Sequence, residues 1–167
     1  MRKTPRPRPV VPVSPVERVL DIAGAMFVLA AILVPLFSYQ LLPKTIPSHF
    51  GFTGKPDAWG DVHLLFILPA FSLILFLVLT VMSRYPHLYN YPVRITEENA
   101  FRQYRLARMF IAVLKTVITA IFAWLEFQTI RVAEGKSGGL GEAFLPLFLV
   151  LIFGAVIVYF VKAFRSR

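Results

Sequence analysis

The sequence predicts an all-α integral membrane protein with four transmembrane helices, and three observations lead to this fold class. Hydrophobic residues make up 57% of the 167-residue chain, and its mean hydropathy is +0.67, more apolar than a soluble domain requires. The apolar residues form long blocks without alternation, as in helices that face lipid. Four blocks have the ~20 residues that a helix needs to cross a bilayer: about 19–42, 63–82, 109–130 and 143–161.

Composition also limits the chemistry. The chain has no cysteine, which excludes disulfides, thiolate nucleophiles and cysteine-ligated metals. No pair of its three histidines suits haem, because His63 and His87 are expected on opposite sides of the membrane. We therefore predict no cofactor and no metal site. The net charge of +9 would suit nucleic acid, but its placement favours a role in membrane topology instead, with the lipid bilayer as partner.

The basic residues are distributed unevenly between the predicted loops. Thirteen Lys and Arg fall before the first span, in the second loop or after the last span, whereas four fall in the first and third loops. The positive-inside rule therefore places both termini and the second loop in the cytoplasm. The four outer residues are Lys44, Lys55, Arg131 and Lys136.

Residues 1–16 are predicted to form a flexible cytoplasmic arm, and residues 17–167 a single four-helix membrane domain. The arm contains five prolines, which favour extended backbone, and its arginines and lysine suit electrostatic anchoring to anionic lipid or, alternatively, docking of a protein. The apolar run that follows is too long for a signal peptide and ends without a small-residue cleavage site, so we interpret it as a retained span.

The third helix is predicted to project into the cytoplasm. Thr96 can cap its first amides, and no helix-breaking residue occurs before Ile130, which gives one helix of about 34 residues, ~50 Å long. Three arginines in its first turns are expected to contact lipid headgroups, or alternatively a partner protein: Arg102, Arg105 and Arg108. The glycine-rich stretch RVAEGKSGGLGE after this helix is predicted to be a flexible external connector.

Two ionisable residues inside the third span, Lys115 and Glu126, are expected to be informative because charges are costly in a bilayer. They lie about three helical turns apart, on one stripe with Thr119 and Thr129 that should face the bundle interior. Lys115 can snorkel toward the cytoplasmic surface. Glu126 has two open interpretations. It is either a carboxylate bonded to loop amides or to Gln128, or simply hydrated at the interface, or else a group that binds a ligand, a proton or a cation.

Prolines in three of the spans give a second reason to consider a site in the outer leaflet. Pro35, Pro69 and Pro146 are each expected to interrupt a helix there. Interrupted helices beside a buried carboxylate often form small-ligand sites, whereas simple kinks that improve packing are the alternative.

The stretch IPSHFGFTGKPDAWGD lies between the first two spans, in a loop at 43–62 that we expect to be ordered and extracytoplasmic. Residues 46–52 are predicted to be extended, with Ser48 and Phe50 facing opposite His49. GKPDAWG is predicted to be a type I turn around Pro56, with Gly54 and Gly60 free to adopt positive φ.

Three aromatic residues of this loop, Phe50, Phe52 and Trp59, are expected at the membrane interface or over the outer mouth of the bundle. His49, Asp57 and Asp61 can converge, but their irregular spacing is a weak metal signal. Structural closure of the loop and contact with a ligand remain open, and both interpretations use His49, Phe50, Gly54, Asp57, Trp59 and Gly60.

The stretch LLPKTIPSHFGFTGKPDAWGD closely resembles the signature of a prokaryotic membrane family, domain of unknown function 1648 (DUF1648). The signature reads L-P-x-x-I-P-x-H-F/W-x-x-x-G-x-x-D-x-x-G between two helices. The residues that match it are Leu42, Pro43, Ile46, Pro47, His49, Phe50, Gly54, Asp57 and Gly60.

The resemblance implies an ordered loop between two spans and a relation to the N-terminal part of immunity proteins that protect a producer's membrane from a secreted peptide toxin. We therefore expect a non-enzymatic protein of a prokaryotic plasma membrane that binds an extracytoplasmic peptide or small ligand in an immunity-like or signalling role. The alternatives are a small transporter that handles protons or cations through Glu126, and an accessory subunit of a larger membrane complex. A homo-oligomer or a membrane-protein partner fits either scheme.

Overall fold

The computed structural model describes residues 6–167, and its fold is mostly helical. A two-stranded antiparallel hairpin separates the first two of four α-helices. Short 3₁₀ turns follow α1, precede α2 and lie between α2 and α3. The elements are α1 Pro15–Ser38, β1 Thr45–Phe50, β2 Pro56–Asp61, α2 Ile67–Met82, α3 Ala100–Ala133 and α4 Phe144–Arg165.

All four helices are long and apolar enough to cross a membrane when the 3₁₀ turns that flank α1 and α2 are included. Most residues in their apolar windows are not buried within the bundle, so the apolar surface is left for lipid. The structure is thus mostly helical with four candidate membrane spans, which agrees with the predicted all-α membrane fold except at the hairpin.

Helix α3 is central, since it packs against α1, α2 and α4. Its start lies beside α1 and the end of α4, because Arg108 contacts Glu17 and Gln103 donates to the Ala163 carbonyl over 2.9 Å. Its other end lies under the hairpin, in a hydrophobic cluster of Ile46, Val62, Leu65 and Ile130. We call the two regions the arm end (residues 6–21, 80–115 and 159–167) and the hairpin end (residues 39–69 and 119–146).

The predicted long third helix is observed as 34 continuous residues. Thr96 Oγ1 accepts from the Asn99 amide and Asn99 Oδ1 accepts from the Thr96 amide, at 3.3 and 2.9 Å. These reciprocal bonds hold a turn over residues 97–99, so the helix begins at Ala100, a few residues after the expected start. It continues to Ala133, beyond the predicted end at Ile130.

The expectation of three interrupted helices is correct only for α1. Pro35 lies inside α1, where it removes one hydrogen bond donor. Pro69 and Pro146 are each the third residue of their α-helix, where a backbone N–H has no intrahelical acceptor, so a proline costs no α-helical hydrogen bond.

The loop between α1 and α2 is a β-hairpin. The turn predicted at GKPDAWG is wrong, because most of this stretch forms strand β2. The tight turn lies earlier, where the Gly51 amide donates to Lys55 O and the Gly54 amide to Gly51 O, both over 2.9 Å. Gly54 has φ +74°, whereas Gly60 lies in β2 without a positive φ. Residues 56–60 are of types that favour turns, but they form a strand here because their backbone groups pair with those of β1.

The side-chain alternation predicted for residues 46–52 is also broken. Pro47 pairs with Trp59 and His49 with Ala58, so Ser48 is the extra residue of a bulge. Ser48 and His49 are consequently both exposed.

The arm was expected to be flexible, but residues 6–14 lie against the bundle; residues 1–5 are outside the described residues. Tyr104 donates to Pro7 O over 2.9 Å and Arg108 to Val11 O over 2.5 Å. Arg6 donates to two carbonyls of the segment between α2 and α3. Prolines leave carbonyls in extended segments without helical partners, and the side chains of α3 use them as acceptors.

The glycine-rich connector differs from expectation in the same way, since it packs on the hairpin turn. The Leu140 amide donates to Gly54 O over 2.7 Å, and Gln128 Nε2 donates to Gly139 O over 3.2 Å. Two backbones approach this closely only where side chains are absent: a Cβ on Gly54 would lie 2.9 Å from Gly141 O.

Candidate functional site

Glu126 is a buried carboxylate without a hydrogen bond partner on Oε1 among residues 6–167. Its side chain faces the bundle interior, and the residue is 1% exposed. Gln128, one of the donors that a structural role would use, is bonded to Gly139 instead. Burial of a carboxylate without compensating partners is costly, so Glu126 differs from the paired charges elsewhere in the chain.

A cavity of about 440 Å³ lies against Glu126 and beneath the hairpin. Its lining is mostly apolar, and the polar residues are Glu126 and Thr129 on α3 with Ser48 and His49 on β1. The starts of α2 and α4 close the sides through Ile67, Leu68 and Phe144. This volume is in the range of small-ligand sites in proteins. We call it the hairpin cavity.

A pair of side chains links the strands above the cavity. His49 Nδ1 lies 2.6 Å from Asp57 Oδ1 across the hairpin, although both side chains are more than half exposed. Exposed pairs of this kind contribute less than about 1 kcal/mol to the free energy of unfolding. The main effect of this pair is therefore to orient the His49 ring.

Asp61 does not join His49 and Asp57, contrary to the expected convergence. It caps the 3₁₀ turn before α2 by accepting from the His63 amide over 2.8 Å, and it contacts His63 Nδ1. The backbone bond and the side-chain bond from His63 hold the pKa of Asp61 below its usual value. Tyr39 Oη lies 2.8 Å from His63 Nε2, so these bonds connect the 3₁₀ turn after α1 to the 3₁₀ turn before α2.

No group of three or more His, Cys, Asp or Glu side chains with metal-binding geometry occurs in the described part of the chain. His49–Asp57 and Asp61–His63 are instead two separate pairs.

The aromatic residues of the hairpin have different positions. Phe50 lines the hairpin cavity, whereas Phe52 is 93% exposed and Trp59 54% exposed. Only Phe50 therefore covers the cavity from inside. Gly60 has a packing role, since a Cβ there would lie 3.3 Å from Ser48 Cβ and closer still to Leu64.

The polar stripe of α3 is buried along its length, at Lys115, Thr119, Glu126 and Thr129. Lys115 does not snorkel to the surface. Its Nζ lies 2.7 Å from Asp21 Oδ1 and donates to Thr80 Oγ1 over 2.9 Å. These partners on α1 and α2 compensate the charge of the ammonium group inside the bundle. The buried side-chain position is therefore favoured over one that extends to the membrane surface.

Asp21, Glu17 and Thr80 are site residues that sequence reasoning does not single out. Asp21 lies inside the first span, and Glu17 Oε1 is 3.2 Å from Arg108 Nε. One signal was present in the sequence: two acids four residues apart on α1 and two bases seven apart on α3 each define one helix face.

The lipid-headgroup role predicted for three arginines of α3 needs one correction. Arg102 and Arg105 are exposed and remain candidates for headgroup contact. The Arg108 side chain is 11% exposed and contacts Glu17 and the arm. It therefore points toward the bundle and not toward lipid headgroups.

Comparison with known proteins identifies a family whose profile includes the hairpin residues. The DUF1648 profile, described as a domain of unknown function, matches residues 26–73, which include the second half of α1, the hairpin and the start of α2. A relative from Archaeoglobus fulgidus, described as an uncharacterized protein, is 34% identical over 137 residues, 72% of this chain and 71% of the relative. The chain belongs to the DUF1648 family. No solved structure matches it.

The DUF1648 match contains the hairpin and its His49–Asp57 pair but ends before α3. Glu126 and Thr129, which form the polar floor of the cavity, come from outside the matched region. The cavity therefore joins the family signature to a helix that the profile does not describe.

Proposed function

We propose that this DUF1648 protein is a non-enzymatic membrane protein that binds a ligand in the hairpin cavity, with Glu126 as the anchor. The observation that carries the proposal is the partnerless Oε1 of Glu126 at the edge of a cavity of about 440 Å³. An unpaired buried carboxylate gains most from a ligand that supplies a positive charge or a hydrogen bond donor.

The lining indicates the ligand class. Most of the wall is aliphatic or aromatic, so it suits an apolar body, and the carboxylate suits an ammonium head. A small amphipathic cation has both parts. The resemblance to immunity proteins extends this class to a peptide whose N-terminal amine or lysine meets Glu126.

The orientation in the proposal follows from the charge distribution along the chain. Basic residues concentrate at the arm end, which supports a cytoplasmic arm end and an extracytoplasmic hairpin in a prokaryotic plasma membrane. Since the chain has no cysteine, Thr53→Cys and Asn90→Cys each create one labelling site. In intact cells an impermeant maleimide should label Thr53→Cys alone, and labelling of Asn90→Cys alone would invert the orientation.

Ligand binding is tested with hexylammonium, with hexanol and hexanoate as matched probes of the same chain length. Thermal unfolding of the detergent-purified protein can be followed by the fluorescence of Trp59 and Trp124. Hexylammonium should raise the melting temperature of the native protein and hexanoate should not, because a second anion would meet Glu126. The variant Glu126→Gln should lose the response to hexylammonium while it keeps the fold.

Two results would contradict the binding proposal: an equal response to hexanol and hexylammonium, or an unchanged response in Glu126→Gln. Thr129→Val serves as the control for the cavity wall, since it removes a polar group but no charge. Its response should be weakened less than that of Glu126→Gln.

A second candidate function is proton or cation transport, and another cavity with a more polar lining favours it. This cavity, about 390 Å³, lies at the arm end and contains Asp21 and Lys115 in its lining. The two cavities approach α3 from opposite ends. In reconstituted vesicles, a pH-driven or cation-driven flux that Glu126→Gln abolishes would favour transport, and absence of flux together with hexylammonium binding would favour the binding protein.

A further inference from the structure

A third cavity at the arm end is built from three separate segments. It measures about 300 Å³ and lies between the arm, the segment after α2 and the first turns of α3. Because the arm forms one wall, it exists only when the arm lies against α3. We call it the arm pocket, and its lining is Arg8, Pro9, Val10, Val11, Arg84, Pro86, His87, Tyr104 and Arg108.

The lining of the arm pocket carries positive charge and no carboxylate. Arg108 is fixed there by Val11 O and Glu17. The guanidinium groups of Arg8 and Arg84 make no hydrogen bond or ion pair with residues 6–167, so their N–H donors are available to a ligand.

Neighbouring acids do not neutralise the pocket. Glu17 and Asp21 line the adjacent cavity, which shares Arg84 and Arg108 with the arm pocket. Each of these acids already has a cation, Arg108 for Glu17 and Lys115 for Asp21. The positive charge of Arg8 and Arg84 is therefore left for an external anion.

Two tyrosines next to the pocket, Tyr89 and Tyr91, stabilise one of its walls and are uncharged. Burial raises the pKa of Tyr89 to about 12 and raises the pKa of Tyr91 above its usual value. Both hydroxyls therefore stay protonated at neutral pH, and they donate to Met82 O over 2.6 Å and Pro86 O over 2.8 Å. These bonds fix the segment that carries Arg84 and His87.

The depth of the pocket matches the headgroup layer of a bilayer. Arg84 follows the last residue of α2, Met82, by two positions, and Arg108 directly precedes the apolar run of α3. Basic groups at the end of a span meet phosphates at the membrane surface, and the guanidinium fork of arginine fits phosphate oxygens in a bidentate manner.

We propose that the arm pocket binds the phosphate group of an anionic ligand through Arg8 and Arg84. The phosphate bridges the arm and the segment after α2, and so fixes the arm on the bundle. Its source is either a lipid headgroup or a soluble phosphate, and matched probes separate the two.

The test uses the detergent-purified full chain and three probes: dioctanoyl phosphatidic acid, dioctanoylglycerol and inorganic phosphate. Binding is read as a rise in melting temperature with probe concentration. Dioctanoyl phosphatidic acid should bind and dioctanoylglycerol, which lacks the phosphate, should not. Arg8→Gln and Arg84→Gln should each weaken the binding about tenfold, the effect of one lost charge-assisted hydrogen bond.

Matched controls come from exposed arginines at the same end. Arg18→Gln and Arg94→Gln remove the same charge outside the pocket and should leave the affinity unchanged. Arg8→Lys keeps the charge but loses the planar fork, and should give an intermediate affinity. Since Arg8 and Arg84 are exposed, the melting temperature without probe should be unchanged in their variants, which verifies the fold.

Each outcome decides the proposal. Equal weakening by Arg18→Gln or Arg94→Gln means diffuse attraction and overturns it, as does binding of dioctanoylglycerol with the same affinity or no binding of either phosphate probe. Binding of inorganic phosphate as tight as that of the lipid, lost in Arg84→Gln, supports the phosphate site and assigns it to a soluble ligand.

Discussion

The two ends of the bundle differ in whether a buried charged side chain has a partner of opposite charge. At the arm end, Glu17 of α1 contacts Arg108 of α3, and the partly exposed Asp21 of α1 contacts Lys115 of α3. The buried Glu17 and Lys115 therefore each have an opposite charge within 3.2 Å. At the hairpin end, Glu126 is as buried as Lys115 and its Oε1 has no partner within residues 6–167. The same helix therefore carries both a compensated and an uncompensated charge.

This difference separates structural charge from functional charge. A buried ion pair holds two helices in register, and removal of one partner is costly because the other remains buried and unpaired. A lone buried carboxylate contributes no such link and is unfavourable to the fold until something binds it. Stability measurements should consequently change in opposite directions at the two ends.

The largest expected effect is at the arm end. Arg108→Gln leaves Glu17 Oε1 without its cation and Val11 O without its donor, although Glu17 Oε2 keeps the Ser14 amide at 2.7 Å. We expect a loss of about 3 kcal/mol in the free energy of unfolding, seen as a melting temperature about 10 °C lower. Arg105→Gln, an exposed arginine on the same helix, should change it little.

The matching variant at the hairpin end is Glu126→Gln. It preserves the shape of the side chain and removes the unpaired charge, so the melting temperature without ligand should stay the same or rise. A fall as large as that of Arg108→Gln would mean that Glu126 is a structural partner, and the contrast between the two ends would be lost.

The fold was largely predictable because its main signal is local. Four apolar runs define the helices, and the absence of any breaker between Thr96 and Ile130 defines the length of α3. The second strand of the hairpin was missed because PDAWG consists of turn-forming residues, whose pairing with β1 depends on contacts that are not local. Prolines at the third position of α2 and α4 similarly depend on where the helix begins.

The site was less predictable, since it depends on how the helices rotate and on which loops meet. Lys115 was expected to snorkel, and only the placement of Asp21 and Thr80 on neighbouring helices shows why it stays inside. The burial of Glu126 follows from the stripe on α3, but the cavity beside it requires the hairpin to fold back over the bundle. Neither arrangement has a signature within one segment.

A smaller effect is expected where the connector holds the hairpin over the cavity. Gly139 has φ +150°, and a Cβ there would overlap the carbonyl oxygen of Gly54 and lie 3.1 Å from Lys55 Cα. Gly139→Ala must therefore displace the hairpin turn or the connector, at a cost of about 1–3 kcal/mol. Its melting temperature should fall by about 5 °C, and the response to hexylammonium should weaken because the roof of the cavity moves.

The neighbouring residue supplies the control for this prediction. Gly138 has no positive φ, and a Cβ there would meet no atom within 4 Å. Gly138→Ala should leave the melting temperature unchanged or slightly higher, because alanine reduces the entropy of the unfolded chain. If Gly139→Ala lowered the melting temperature but left the hexylammonium response intact, the hairpin would stabilise the bundle without shaping the cavity. The uncompensated charge of Glu126 would then have to be explained by α3 and its neighbouring helices alone.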